Sequence, residues 1–361
     1  MSALSAQDRR WLDAAAREAT PFLGSTAGHP TVGAIVTDPQ SRKLLGRGVT
    51  GSGGSPSAET QAIEEAGEAG RGATLYITLG PDVDDGRLIV DAVLAGGVAR
   101  VVIGTADPAG AGEGLAQLAE AGVEVVVADH SPSRHLHEGH ISVKARNRPF
   151  VTARLAVSAD GKVGATGQVD ISITSAEARR WTQMQRAHTD AIMIGWGTAR
   201  LDDPTLAVDL KGLEDRQPLR VVVAGLKVVE ARLALLSGEG EGPTLVVATA
   251  EKKLNIGDGV EVLRLKGIRS RPELSSVMSA LAERGIQNLF VEAGPTLFEA
   301  LLAKDLVDRF HLLRSDVVIG LNGLPATPRG NIESRIALAG FSLVDHRLLG
   351  ADNLRTFERI F

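Results

Sequence analysis

The stretch Asp190-Ala191-Ile192-Met193-Ile194-Gly195-Trp196-Gly197-Thr198 runs a strand-length apolar segment straight into a glycine-bracketed turn. Such a turn lets backbone N–H groups approach a phosphate or a nucleotide closely. A second segment has the same design. Asn288-Leu289-Phe290-Val291-Glu292 reads as a strand, and Ala293-Gly294-Pro295-Thr296-Leu297 leads from it into a helix whose first-turn amides offer a second anion site. Between and before these, Phe150 to Ser158 reads as a strand ending at the turn Ala159-Asp160-Gly161-Lys162. Thr174-x-x-Glu177 has capping-box spacing and opens a helix from Ala176 to about His188.

The first half of the chain alternates in the same way. Ser5-x-x-Asp8 has capping-box spacing, and Trp11, Leu12, Ala15, Ala16 and Ala19 follow at helical intervals. Thr31 to Thr37 is a β-branched run bounded by Pro30 and by Asp38-Pro39, a strand. Helices are expected over 58–69, 88–95 and 115–121, and strands over 74–78, 100–104 and 123–128. This alternation predicts a mostly parallel sheet covered by helices. Asp129 to Asn147 is polar and holds His130, His135, His137 and His140, four of the eight histidines. Their spacing sets no fixed pair on one face backed by further ligands, so the segment reads as a solvated connector rather than a metal site. The domain boundary is placed near Arg148-Pro149, giving domains 1–147 and 148–361.

Composition bounds the function. The 361 residues fit two or perhaps three domains. The chain has no cysteine, which excludes disulfide scaffolds, thiolate zinc sites, iron–sulfur clusters and cysteine nucleophiles. Hydrophobic residues at 43% and charged residues at 23% are ordinary for a globular protein. A net charge of −5 and 3% aromatics argue against nucleic acid as a partner. The first residues carry early charges and no apolar signal-peptide core, and no apolar run approaches the roughly 20 residues a spanning helix needs. A cytoplasmic enzyme with no membrane partner is expected.

Several segments, in order, resemble one family. In the first half they are His29-Pro30-Thr31-Val32-Gly33, Ser57-Ala58-Glu59, Gly72 to Leu79, Val98 to Val102 and Asp107-Pro108. In the second half they are Ser158-x-Asp160-Gly161, Thr174 to Arg179, Arg186-Ala187, Asp190-Ala191-Ile192, Gly195-x-Gly197-Thr198, Asp202-Asp203-Pro204, Gln217 to Val222, Val291 to Leu297 and Leu306-Val307-Asp308. Together they are similar to the bifunctional deaminase–reductases of riboflavin biosynthesis over nearly the whole chain. The resemblance implies an α/β protein of two domains. The first is a cytidine-deaminase-like α/β/α sandwich; the second is a dihydrofolate-reductase-like α/β domain that moves hydride from NADPH to the ribose C1 of a phosphoribosylaminopyrimidine. It also implies a homodimer acting on a small-molecule substrate.

Residue by residue, the resemblance places Gly195, Gly197, Thr198, Gly294, Pro295, Thr296 and Thr174 at the cofactor. It makes Asp202 a carboxylate between substrate and cofactor, Arg186 a substrate-phosphate arginine and Glu292 an active-site acid. Arg154 stands where the family has lysine, keeping the charge and changing its shape. The residues themselves also admit plainer readings. Asp202 and Asp203 before Pro204 suit a turn cap, Arg186 on a helix suits a surface ion pair, and Trp196 suits either packing or a cofactor wall. Trp181 is expected in the core. Glu292 ends an apolar strand, where a charge is costly unless paired or solvated.

The departures from the family pattern are chemical. Where a zinc deaminase has histidine and two cysteines, this chain has Ser57, Asp82 and a shortened stretch around Ile89. Glu59 matches the general acid/base, but no nitrogen–sulfur zinc shell remains for it to serve, so the resemblance implies no zinc here. On the substrate side, Asp170 and Ser172 replace a serine and a tryptophan, and Asp209 replaces a phosphate-contacting arginine, reversing the sign of that contact. Ala224 and Asp316 replace an aspartate and a proline. Lys227 and Arg232 suit either a cofactor 2′-phosphate or an ordinary strand end. Three functions stay open: the family's reductase, a pyridine-nucleotide reductase with another substrate, and a non-catalytic scaffold.

Overall fold

The computed structural model describes residues 4–81, 86–108, 110, 112–165, 173–225, 233–237, 242–268, 270–328 and 330–359. Asp82, Asp170, Ser172, Lys227 and Arg232, which the sequence singles out, lie outside them. The chain divides into two units, Met1–Arg148 and Pro149–Phe361.

The first unit is a five-stranded sheet between helices, in the order β2-β1-β3-β4-β5. The strands are β1 (Gly33–Thr37), β2 (Leu44–Val49), β3 (Thr74–Ile77), β4 (Arg100–Ile103) and β5 (Glu124–Val127). Its helices are α1 (Ala6–Ala19), α2 (Ala58–Ala66), α3 (Gly86–Ala95), α4 (Gly112–Glu120), α5 (Ser131–Leu136) and α6 (Glu138–Arg146). Leu12 and Ala15 of α1 pack with Ile35, Tyr76 and Val102 on one face, while Ala58, Ala62, Val93 and Leu118 close the other. Ser5 caps α1 as expected, its hydroxyl oxygen accepting from the Asp8 N–H at 3.0 Å. The Asp8 carboxylate also receives a fork from Arg100 at 2.7 and 3.1 Å, tying the helix to β4.

Two expectations fail in this unit. The sheet is not mostly parallel: β1 runs antiparallel to both β2 and β3, and only β3-β4 and β4-β5 are parallel. β2 escaped detection because Gly46 and Gly48 interrupt it. Helix α2 lies directly on its backbone, where a Cβ at either position would sit 2.1 Å from the carbonyl oxygen of Ala62 or Ala58. Nor is 129–147 a solvated connector. It forms α5 and α6, and His130, His137 and His140 are buried. Each buried ring has a polar partner: His130 meets Ser133 and Asp13, His137 Nε2 meets the Thr78 hydroxyl at 2.9 Å, and His140 Nε2 meets the Asp107 carboxylate at 2.6 Å. Polar residues go inside when they are paired.

The second unit is built on a nine-stranded sheet in the order β11-β10-β9-β8-β14-β6-β15-β18-β17. Its strands are β6 (Phe150–Val157), β8 (Ala191–Gly195), β9 (Leu219–Val223), β10 (Thr244–Thr249), β11 (Val260–Leu265), β14 (Asn288–Glu292), β15 (Arg309–Arg314), β17 (Phe341–Leu349) and β18 (Asp352–Arg359). Two small ribbons pair β7 (Lys162–Ala165) with β16 (Gly323–Pro325) and β12 (Gly267–Ile268) with β13 (Arg271–Pro272). All pairings from β11 to β15 are parallel, and β18 and β17 add an antiparallel edge. The helices are α7 (Ala176–Ala187), α8 (Trp196–Asp202), α9 (Leu274–Glu283), α10 (Pro295–Leu302) and α11 (Ile332–Leu338). One sheet face carries the main core, where Val151, Ala153, Leu155 and Val291 meet Val277, Leu281, Phe298 and Ile336. The opposite face is split. Ile192, Ile194, Trp196 and Val222 form one apolar cluster, and α7 covers another over Leu313 and Leu354.

Helix α7 starts at Ala176 as expected, but Ser175, not Thr174, is the cap, accepting from the Ala178 N–H at 3.2 Å. Among the described residues no helix is long and apolar enough to cross a membrane.

Candidate functional site

Neighbouring parallel strands β8 and β14 both end in helices, α8 and α10, so two strand-to-helix turns lie side by side. Gly195 and Gly294 are the N-cap residues, and neither helix has a side-chain cap. The first-turn N–H groups of both are therefore left without the side-chain acceptor that Ser175 gives α7. The turns nearly touch: a Cβ on Gly294 would lie 2.9 Å from the Thr198 hydroxyl oxygen, and one on Gly195 would contact Leu297 at 3.5 Å. A Cβ on Gly197 would meet nothing within 4 Å, so that turn opens outward. Pro295 starts α10 at a position where its missing N–H is no loss. This donor set suits a pyrophosphate or other anion approaching the backbone. Trp196 is buried in the apolar cluster against Gly225, which makes it a packing residue, and its indole N–H has no partner among the described residues.

Beside the turns, a polar row crosses the sheet. Glu292 pairs in register with Arg154, and Arg154 with His311 on β15. His311 in turn stands opposite Thr356 of β18 and its Nδ1 bonds the threonine hydroxyl at 3.0 Å. From α7, Arg186 reaches Glu292 as a fork, with Nε and Nη2 donating at 2.6 and 3.1 Å, while its Nη1 donates to the Ala207 carbonyl. Only 13% of the Arg186 side chain and 12% of Glu292 are exposed, so this is no surface ion pair. Burial alone would raise the Glu292 pKa, but the guanidinium of Arg186, its hydrogen bond and Arg154 together hold it below the ordinary carboxylate range. Burial lowers the Arg154 pKa, with Glu292 opposing and Arg186 assisting. Burial and the nearby Arg309, Arg347 and Arg154 push His311 down to about 3, so this ring is neutral.

The remaining sequence candidates are more scattered. Asp202 ends α8 and is exposed, and partial desolvation raises its pKa. Its neighbour Asp203 is the turn residue. It has left-handed φ at 38°, and its carboxylate accepts from the Ala234 N–H. Asp209 is exposed, and its N–H donates to the Gln183 side chain. Thr174 precedes the α7 cap, and its carbonyl accepts from Arg179. Trp181 is half-buried with its ring edge-on to His311, centroids 5.0 Å apart. Asp190 and Asp308 are structural, accepting backbone N–H groups at the starts of β14 and β6.

His311 was missed in the sequence. Its only signal is parity: along β15 it alternates with the core residues Phe310 and Leu312. That places it on the Arg154 face once the two strands are known to be neighbours.

Residues 149–354 match the family model described as the RibD C-terminal domain. The chain is 33% identical to the riboflavin biosynthesis protein RibD of Aquifex aeolicus, covering 87% of this chain and 88% of the relative. It is 30% identical to that of Escherichia coli, covering 96% and 98%. Among solved structures it is similar to a diaminohydroxyphosphoribosylaminopyrimidine deaminase/5-amino-6-(5-phosphoribosylamino)uracil reductase from Thermotoga maritima. That match has a TM-score of 0.83 and 25% identity, covering 98% of this chain and 99% of the other. A RibD structure from Acinetobacter baumannii matches with a TM-score of 0.80 at 26% identity, covering 98% of both. With its mixed α/β architecture, its paired strand-to-helix turns and these matches, the chain belongs to the RibD family of riboflavin biosynthesis proteins.

Proposed function

We propose that the C-terminal domain is an NADPH-dependent reductase converting 5-amino-6-(5-phosphoribosylamino)uracil to its ribitylamino product, and that the N-terminal domain has neither zinc nor deaminase activity. The observation that carries the first part is the pair of uncapped helix starts at Gly195 and Gly294, which hold backbone donors and an open turn together. Gly195, Gly197, Thr198, Gly294, Pro295 and Thr296 would hold the dinucleotide phosphates, and Thr174, just before the α7 cap, would contact the same cofactor. The dinucleotide supplies the hydride that the ribose C1 receives. Forming that C–H bond breaks the C1–O4 bond, and the ring oxygen takes a proton. Glu292 is held as a carboxylate between two arginines, which makes it a positioning residue rather than a proton donor. Asp202, with its raised pKa, is the better proton carrier.

Ser57 supports the second part. Its hydroxyl caps α2, accepting from the Thr60 N–H at 3.1 Å and donating to the Thr60 hydroxyl at 3.0 Å, so it serves the helix where a zinc ligand would stand. On the family pattern the protein is a cytoplasmic homodimer with a small-molecule substrate.

The test is NADPH oxidation by the full chain with the phosphoribosylaminouracil, alongside ammonia release from the diaminopyrimidine and zinc content. Turnover with no ammonia and no stoichiometric zinc is expected. NADPH binding without turnover would favour a different substrate, a reading to which the exposed Asp209 gives weight. Absence of NADPH binding at millimolar concentration would leave a scaffold.

A further inference from the structure

We infer that Asp352, at the hairpin turn between β17 and β18, is a positioning residue of the proposed reductase site. It fixes the start of helix α7 and serves as a counter-charge to Arg154. This deepens the reductase reading and rests on it for the reaction that the site performs.

Asp352 is buried and is the first residue of β18. It pairs in register with Leu349, so Gly350 and Ala351 form a two-residue turn, with Gly350 in the left-handed region at φ 61°. Both ends of that turn hold the same residue, the α7 cap Ser175. The Asp352 carboxylate accepts the Ser175 N–H at 2.6 Å, and the Leu349 carbonyl accepts the Ser175 hydroxyl at 2.9 Å. The fit is close, since a Cβ on Gly350 would run into the Glu177 carboxylate. A negative charge at this point also faces the positive end of the helix.

Helix α7 carries site residues at both ends. Thr174, the expected cofactor contact, immediately precedes Ser175, and Arg186 stands in the last turn with its fork on Glu292. The helix is thus pinned to β18 at its start and to β14 at its end. Between the pins, Ala178 packs with Leu313 and Leu354, and Trp181 stands edge-on to His311. A displacement at Asp352 reaches Thr174 through one residue.

Charge gives Asp352 its second duty. Arg154 has its Nη1 3.8 Å from Glu292 Oε2, on a carboxylate that Arg186 already holds as a fork. Asp352 adds a second carboxylate that favours the charged form of Arg154, while His311, the register neighbour of Arg154, is neutral. Two carboxylates therefore face two buried guanidiniums, and removing one leaves a buried charge uncompensated.

The test measures NADPH binding by fluorescence and NADPH oxidation with the phosphoribosylaminouracil, on the full chain and its variants. Asp352→Asn keeps an oxygen for the Ser175 N–H and loses the charge. It should bind NADPH within about threefold of the native chain but lose about tenfold or more in kcat/KM. In an Arg154→Met background the same change should cost about twofold or less, because the charge it balances is gone. Ser175→Ala loosens the helix start without touching the charge, so its cost should be the same in both backgrounds. Asp352→Ala removes the oxygen as well and should weaken NADPH binding about fivefold or more. If Asp352→Asn alone does not fold, its pair with Arg154→Met should fold, and failure of the pair too overturns the counter-charge. Equal kcat/KM losses from Asp352→Asn in both backgrounds, no loss at all, or native NADPH affinity in Asp352→Ala overturns the proposal and leaves the reductase reading standing. A native chain that neither binds nor oxidises NADPH overturns that reading, and the proposal with it.

Discussion

Gly294 and Thr198 face one another across two strand-to-helix turns so closely that a Cβ on the glycine would lie 2.9 Å from the threonine hydroxyl oxygen. The two turns are thus fitted to each other as well as open to a ligand. Gly294→Ala should destabilise the fold by about 1–3 kcal/mol, because the added methyl forces Thr198 or the α10 start to shift. Thr198→Ala removes the clashing oxygen, so the double variant should recover most of that loss. Denaturant midpoints of the two single variants and the double one decide it. Simple additivity would show that the contact is not the cause.

Among the described residues, the Glu292 carboxylate is the only negative charge bonded to Arg186 and the nearest to Arg154. Glu292→Ala leaves two buried cations together, and a loss of about 3–5 kcal/mol is expected. The same carboxylate predicts an acid limb. Its pKa is depressed in the folded state, so its contribution is present above the unfolded value of about 4.3 and disappears as pH falls through the lower folded value. Stability measured from neutral pH downward should therefore drop below about pH 4.3, and the Glu292→Gln chain should show a shallower drop.

His137 predicts a separate acid effect in the first unit. Burial pushes its pKa down to about 3, with a contribution from His140. The folded chain therefore binds its proton less readily than the unfolded chain, whose value is about 6.5. Stability is full above that pH and falls by about 1.4 kcal/mol for each pH unit below it, until the folded value is reached. His137→Gln keeps a polar partner for the Thr78 hydroxyl but does not titrate. Between pH near 7 and near 5 the native chain should lose more stability than His137→Gln, which keeps only the slope that groups such as His311 contribute. Equal slopes would assign the effect to another group.

What the sequence made legible was local. The Gly195 and Gly294 turns were found because an apolar strand and its punctuating glycines lie within nine residues of each other. Their adjacency was not legible, since it depends on β14 inserting between β8 and β6, strands that lie about a hundred residues or more from it in the chain. β2 was missed for a stated reason: its glycines answer to helix α2 and not to strand propensity. The buried histidines misled in the opposite direction. Polarity along the chain looked like solvent exposure, while the partners Thr78, Asp107 and Asp13 lie far away in sequence. Arg186 was read as a phosphate ligand or a surface ion pair, and its geometry shows it bonded to Glu292, 106 positions away.

Asp202 gives the last prediction. It lies at the end of α8, seven residues past the Gly195 turn, and desolvation raises its pKa above the ordinary aspartate value. Asp203 holds the turn through Ala234, and among the described residues the Asp202 side chain makes no hydrogen bond that its replacement would break. Asp202→Asn should therefore leave the unfolding midpoint close to that of the native chain. If Asp202 carries the proton that accompanies the hydride, its loss should lower kcat by about a hundredfold, with little change in NADPH affinity. The pH dependence separates this from a binding role. An acid of raised pKa is protonated over a wider range, so the native rate should climb as pH is lowered toward that pKa, and the climb should be absent from Asp202→Asn. A uniform drop in rate with an unchanged profile would instead make Asp202 a contact for the bound molecules, and would leave the proton to another group.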